Sequence, residues 1–363
     1  MQQTRPEISL KTAIGYCIIK ENAIRGVYMN NRILRLLPVM LSASIVLSGC
    51  ADNTSVESET KALTVPVETT VETTAVTTTE ITAEEIQEVP YMEQFKDTIV
   101  ELTPEEYEEK SESITYPVFK KYNYYSSTAE RDTNVNVLLP PDYSEDKEYP
   151  VLYILHGFYD NEGWMARSVV NLDTIYGNLL ARGEAEEMII VLPYIFCDKN
   201  MPYCTGIDMA NCLAYDNFIN DLTTDLMPFI ESEFSVAGGR ENTAITGFSM
   251  GGRESLFIGF RRPDLFGYIG SVCGAPGLVE VPGSPMHPGQ MNAEEMTFAE
   301  NNPYLIFISS SKADGVVGSS PNSYRKIMTE NGVDYLSHVM KSTGHDHTSV
   351  KPHLYNFLKM LFK

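Results

Sequence analysis

The feature that most constrains this chain is a set of short runs that are apolar at nearly every position. "YPVLYILHG" (149–157), "MIIVLPYI" (188–195), "TAITGF" (243–248), "YIGSVCG" (268–274) and "YLIFISSS" (304–311) lack the polar–apolar alternation of a strand with one wet face. Such runs need cover on both faces. The segments between them carry a helical period. "FINDLTTDLMPFIESEF" (218–234) repeats Phe218, Leu222, Leu226, Ile230 and Phe234 every four residues. "SLFIGFRR" reads as a helix, as does "SYRKIMTENG", which Gly332 stops. "VKPHLYNFLKMLF" reads as a closing helix with Leu354, Phe357 and Leu361 on one face. "VNVLLPPDY", ending in a Pro-Pro turn, and "DYLSHVMKSTG" add strands. The alternation predicts a single doubly wound α/β domain over residues 113–363, with a mainly parallel sheet and helices on both faces.

In such sheets, sites form beyond the carboxyl ends of the strands. Three predicted strands end there in reactive side chains, in the chain order Ser, Asp, His. Gly247-Phe248-Ser249-Met250-Gly251 satisfies G-x-S-x-G between a strand and a helix, the context in which the motif carries meaning. The following helix points its N-terminus at Ser249, where its dipole favours developing negative charge. A serine hydroxyl needs a base. His345 in "STGHDHTSV" follows the last strand and is the expected general base, with His347 a rival two residues on. His338 falls inside a strand, His353 on the closing helix and His287 in a Pro/Gly loop. Asp314 in "SSSKADGVVG" closes strand 304–311 and is the expected orienting acid. Its rivals fit less well: Asp334 begins a strand, at the wrong end of the sheet, and Asp346 adjoins His345. The oxyanion donors are expected to be the backbone N–H groups of Met250 and Phe158. His156 is read as holding the loop after "LYILHG" by hydrogen bonding, and otherwise as a cleft residue. Trp164 either lines the substrate cleft or anchors that loop by packing.

The front of the chain has another character. Residues 29–49 hold Arg32 and Arg35 ahead of a short apolar stretch, Leu36–Leu47, too short to span a bilayer as a helix. They end at Leu47-Ser48-Gly49-Cys50, which resembles the lipobox of bacterial lipoproteins. That resemblance implies a signal peptide, lipidation at Cys50 and an extracytoplasmic domain held at the membrane. Met29 is then the expected start, with residues 1–28 an over-called extension. Residues 50–112 read as an acidic, Thr/Glu-rich disordered linker. Thr recurs eleven times between residues 54 and 82, and residues 51–112 carry 17 Asp/Glu against 3 Lys/Arg. The whole chain has a formal charge of −22, which argues against nucleic acid or an anionic membrane surface as partner. No Cys/His spacing suggests a structural metal, and no cofactor is expected. Cys197 and Cys204, seven residues apart, either form a local disulfide or stay reduced.

Taken together, "YPVLYILHGFYDNEGW", "AITGFSMGGRESLFIGFRRPDLFGYIGSVCGAPG", "SSSKAD" and "GHDHTSVKPHLYNFL" resemble the α/β-hydrolase-fold esterases. That family includes esterase D, feruloyl esterases, acetyl xylan esterases of carbohydrate esterase family 1 and the antigen 85 mycolyltransferases. The resemblance spans roughly residues 115–363 and places the family's nucleophile on Ser249, its acid on Asp314 and its base on His345. Its oxyanion donors fall on Phe158 and Met250. Many feruloyl esterases carry a tryptophan shortly past the catalytic histidine, where this chain has Val350. The resemblance implies a serine esterase removing feruloyl or acetyl groups from an acylated plant cell-wall polysaccharide. An acyltransferase acting on envelope glycans and a formyl-thioester hydrolase use the same residues, and a non-catalytic polysaccharide binder is the reading from another class. The loop 277–302 is expected to overhang the site and select the acyl group.

Overall fold

In the computed structural model, the structure describes residues 89–280 and 287–363. The expected signal peptide, Cys50, the linker up to residue 88 and part of the loop 277–302 lie outside the described residues. Eight strands form one sheet in the order β1-β2-β4-β3-β5-β6-β7-β8. These are β1 Phe119–Ser126, β2 Arg131–Leu138, β3 Val151–Leu155, β4 Ile189–Pro193, β5 Thr243–Gly247, β6 Tyr268–Val272, β7 Leu305–Ser311 and β8 Leu336–Met340. β1 pairs antiparallel with β2, and β2 antiparallel with β4. The remaining pairings are parallel. The sheet is doubly wound and mainly parallel, as the runs predicted, and the fold is the α/β-hydrolase fold that the resemblance implied.

The all-apolar strands are buried along their whole length because helices cover both faces. Successive residues feed opposite cores. Ile189 and Val191 join the cluster under α2 (Met209–Asp216), α3 (Met250–Arg261) and α4 (Ser320–Glu330). Ile190 and Leu192 join the cluster under α1 (Leu172–Ala181) and the closing helix α5 (His347–Met360). β1 was not signalled by an apolar run, because as an edge strand it buries little of one face. The predicted helix over 218–234 is interrupted by a π turn at Leu222–Leu226, between Phe218–Asp221 and Met227–Glu233. Four-residue spacing rotates apolar positions about 40° per step on a straight α-helix. A wider turn brings that stripe back toward the core.

The boundary expected at residue 113 is too late, because part of the predicted linker is folded. The Val100 N–H donates to Asn356 Oδ1 at 3.0 Å, and Asn356 Nδ2 returns a bond to the Val100 carbonyl at 2.9 Å. Tyr107 is buried, packs edge-on against Tyr355 and donates to Glu184 at 2.7 Å. Tyr91, Phe95 and Ile99 pack against the same cluster as α5. The acidic composition of 51–112 masked these dispersed apolar side chains. Cys197 and Cys204 are both free thiols, Cys197 buried and Cys204 half-buried.

Candidate active site

Ser249 stands between β5 and α3 with φ 56° and ψ −112°, a region a non-glycine residue rarely occupies. Three backbone bonds hold it there. Its N–H donates to Val272 O at 3.0 Å, and its carbonyl accepts from Ala275 N at 2.9 Å and Arg253 N at 3.0 Å. The flanking glycines are a steric requirement. A Cβ on Gly247 would come under 3.0 Å from the Gly251 backbone, and one on Gly251 under 3.0 Å from the carbonyls of Leu155 and His156. Backbone would have to move in either case.

The structure brings the predicted partners to this serine. His345 Nε2 lies 2.8 Å from Ser249 Oγ, and His345 Nδ1 lies 2.7 Å from Asp314 Oδ2. Asp314 Oδ1 accepts from the amides of Val316 at 2.8 Å and Val317 at 3.2 Å. Burial pushes the Asp314 carboxyl up, but the His345 ring N–H, the two amides and the nearby imidazole outweigh it and hold it below the ordinary carboxylate value. An ionised Asp314 fixes the hydrogen on Nδ1 and leaves the Nε2 lone pair facing the serine. The rivals are engaged elsewhere. Asp346 caps α5 by accepting from Thr348 N at 2.8 Å, Asp334 is exposed, and His347 opens α5.

The two expected oxyanion donors are neighbours of well-fixed groups. Met250 opens α3, so its N–H has no intrahelical partner. The Phe158 N–H has no protein acceptor among the described residues. Its loop is tied to the serine turn, since Gly251 N donates to His156 O at 3.0 Å and Phe248 N to Leu155 O at 3.0 Å. The His156 ring is buried, with Nδ1 at 2.8 Å from Gly157 O and Nε2 accepting from Ile195 N at 3.1 Å. Burial drives its pKa down to about 4, so it stays neutral. His156 therefore holds the loop and does not line the cleft. Trp164 stacks on Phe248 at 5.1 Å with rings 6° from parallel, and Phe248 in turn meets the His345 ring at 4.6 Å. The tryptophan thus packs on the residue preceding Ser249.

Three features escaped the sequence. Tyr215 donates no motif, yet its ring stacks on Phe158 at 5.0 Å and its hydroxyl accepts from Tyr159 N at 3.1 Å. Cys273 follows β6 with φ 49°, fully buried beside Asp314. Burial and the Asp314 charge push its thiol up to about 12, so it stays protonated. The ligand-type atoms of Cys273, Asp314 and His345 lie within 4.8 Å of one another, but Asp314 and His345 are engaged with each other there. A buried ionic cluster pins the described parts of the 277–302 loop. His287 Nε2 lies 2.6 Å from Asp216 Oδ2, and Gln290 Nε2 donates to Asp216 at 3.0 Å and to Glu254 at 2.7 Å. Arg253, fully buried on α3, pairs with both Asp216 and Glu254. Charged residues in a helix read as a wet face, so no sequence signal pointed to them.

The chain as a whole is similar to known proteins. The family described as "Putative esterase" matches residues 126–318, which include Ser249 and Asp314. An endo-1,4-beta-xylanase/feruloyl esterase of Xylanibacter ruminicola is 30% identical over 173 residues, covering 46% of this chain and 23% of that protein. The chain thus spans under a quarter of that relative's length. A CE1 ferulic acid esterase from Anaeromyces mucronatus, solved with ferulic acid, is 39% identical with a TM-score of 0.69, covering 73% of this chain and 97% of that one. The feruloyl esterase module of Clostridium thermocellum, 20% identical over 73% of this chain and 94% of that one with a TM-score of 0.59, shares the fold. By the extent of the family match and the coverage of the Anaeromyces structure, the chain belongs to the Esterase family.

Proposed function

We propose that this protein is a serine carboxylic-ester hydrolase that removes acyl groups, feruloyl ahead of acetyl, from a plant cell-wall polysaccharide. The observation that carries the reading is the unbroken bond sequence from Ser249 Oγ through His345 to Asp314, at 2.8 and 2.7 Å, on a strained serine turn. Ser249 Oγ attacks the ester carbonyl carbon while His345 Nε2 takes its proton. The tetrahedral oxyanion meets the N–H groups of Phe158 and Met250 at the start of α3. Collapse expels the sugar alkoxide, which takes the proton from His345. Water then attacks the acyl-serine, giving its proton to His345, and the free acid leaves as Ser249 is reprotonated. Asp314 stays ionised throughout and keeps the ring oriented. The similarity to a ferulic acid esterase at 39% identity supports an aromatic acyl group. Anchoring at a bacterial surface through Cys50 belongs to the same proposal and rests on the sequence pattern alone.

The test is a panel of methyl ferulate, acetylated xylan, a nitrophenyl acetate and a formyl thioester, run on the protein and on Ser249→Ala. The expected outcome is fastest turnover of methyl ferulate and a loss on the order of 10⁴-fold or more in the variant. Full activity in Ser249→Ala would sink the mechanism, and preference for the thioester would sink the substrate class.

A further inference from the structure

The two oxyanion donors belong to different elements, so their separation has to be held by something that touches both. The Met250 N–H opens α3, whereas the Phe158 N–H sits in the loop after β3. Bonds from Phe248 N and Gly251 N to the Leu155 and His156 carbonyls tie that loop to the serine turn only as far as His156. Gly157 comes next, and with no Cβ it makes a soft joint directly before the donor.

Two peptide planes meet at Phe158. In the first, the Phe158 N–H lies opposite the Gly157 carbonyl. That carbonyl takes the His156 Nδ1–H at 2.8 Å, because His156 Nε2 already accepts from Ile195 N at 3.1 Å. The second plane ends in the Tyr159 N–H, which donates to Tyr215 Oη at 3.1 Å. The Tyr215 ring also stacks on the Phe158 ring at 5.0 Å, so it grips both the side chain of the donor residue and the peptide that follows it. Tyr159 sits at φ 65°, a conformation that a bulky residue keeps only where its surroundings enforce it.

Tyr215 is itself immobilised. It is fully buried, its ring stands edge-on to Phe196 at 5.2 Å, and its hydroxyl hydrogen is directed at the Cys204 sulfur. The Cys204 thiol in turn donates to Gly206 O at 3.6 Å. Tyr215 is the last residue but one of α2, and the last, Asp216, accepts from Arg253 Nη2. Arg253 lies on α3, one turn past Met250. Adjacent residues of α2 therefore reach the elements that carry the two donors.

We infer that Tyr215 is a positioning residue for the oxyanion hole. It holds the Phe158 N–H at a fixed reach from that of Met250, with α2, braced on α3 by the Asp216–Arg253 pair, as the spacer. Donors that are already in place cost no reorganisation as charge develops on the oxygen. Removing the Tyr215 hydroxyl leaves both N–H groups present but frees the plane after Phe158, so the loss falls on the transition state and not on substrate binding. The inference deepens the esterase reading and rests on it.

Tyr215→Phe is the test, since it keeps the stacked ring and removes only the acceptor for Tyr159 N. The kcat on methyl ferulate is expected to fall about 10-fold, part of what loss of a whole donor costs, with KM within about twofold. Phenylboronic acid, which adds to Ser249 Oγ as a tetrahedral anion while His345 takes the proton, should bind about 10-fold less tightly. An unchanged kcat, a loss confined to KM, or a fall in kcat with boronic acid affinity intact overturns the inference. A merely structural tyrosine gives the first of these: a lower urea midpoint with kcat per folded molecule unchanged. Should Tyr215→Phe not fold, Asp216→Asn decides in its place, because it weakens the brace between α2 and α3. Parallel losses of kcat and boronic acid affinity there support the spacer, and unchanged values overturn it. Absence of ester hydrolysis by the unmodified protein instead overturns the esterase reading, and is seen before any variant is compared.

Discussion

At the scale of single residues, the site depends on how Asp314 is surrounded. Its two oxygens divide the work: Oδ2 takes the His345 N–H at 2.7 Å, and Oδ1 takes two amides that fix the carboxylate plane. Asp314→Asn keeps the shape but presents a group that can donate to Nδ1, which favours the tautomer with hydrogen on Nε2. That nitrogen can then no longer take the serine proton. The expected outcome is a fall of about 10³- to 10⁴-fold in kcat with little change in KM, measured on methyl ferulate. A drop in KM-dependent terms alone would show that Asp314 acts on binding instead. The positions of Ser249, Asp314 and His345 were legible because each closes a strand at the carboxyl end of the sheet, where chain order becomes spatial convergence. Cys273 and Tyr215 were not. A buried thiol and a stacked tyrosine have no local signature, and their roles arise from what the fold sets beside them.

At the scale of elements, a buried chain of polar side chains crosses three strands beneath the site. Thr246 on β5 meets His353 Nε2 on α5 at 2.7 Å, and His353 Nδ1 meets Ser309 on β7 at 2.8 Å. Ser309 then meets His338 Nδ1 on β8 at 3.1 Å, and His338 Nε2 reaches the Glu101 carbonyl at 3.0 Å. Phe307 stacks on both imidazoles. Burial lowers the pKa of His353, with His338 nearby adding to it, and burial lowers that of His338 against the opposing pull of Glu101. Both rings are therefore neutral in the folded protein, whereas the unfolded chain protonates them near the ordinary value of about 6.5. The unfolded state binds more protons below that value, so stability is complete above it and declines as pH falls through it. Each histidine contributes a slope of at most about 1.4 kcal/mol per pH unit. The urea midpoint is expected to fall between pH 7.5 and pH 5.5, and to fall less in His338→Gln, which keeps a donor and an acceptor at that position. Parallel profiles for the two proteins would show that this chain does not carry the dependence. Glu254 works in the opposite sense, since burial raises its carboxyl despite Arg253, so the difference between the proteins is the informative quantity.

At the scale of the whole molecule, the described domain is closed by a segment that composition disguised. The strands announced themselves because burial on both faces leaves no room for polar residues, and the parallel order followed from helices between them. The segment 89–112 has no such period. Tyr91, Phe95, Ile99 and Tyr107 are spaced among glutamates, and only the finished surface of α5 and β8 shows what each one covers. Tyr107 seals Tyr355, Asn356 is bonded at both its amide atoms to Val100 or beyond, and Glu101 terminates the histidine chain. A chain beginning at residue 113 loses all of these at once, while Ser249, His345 and Asp314 keep every bond they make. Burying one large side chain contributes about 1.5–3 kcal/mol, and part of the sum is returned as entropy when the segment is freed. The expected outcome is a loss of about 3 kcal/mol in urea unfolding, with kcat on methyl ferulate preserved in the folded fraction. A chain beginning at residue 89 serves as the reference in both measurements. If the chain beginning at 113 unfolds at the same urea concentration as the one beginning at 89, the segment is an appendage, and α5 supports the base without it.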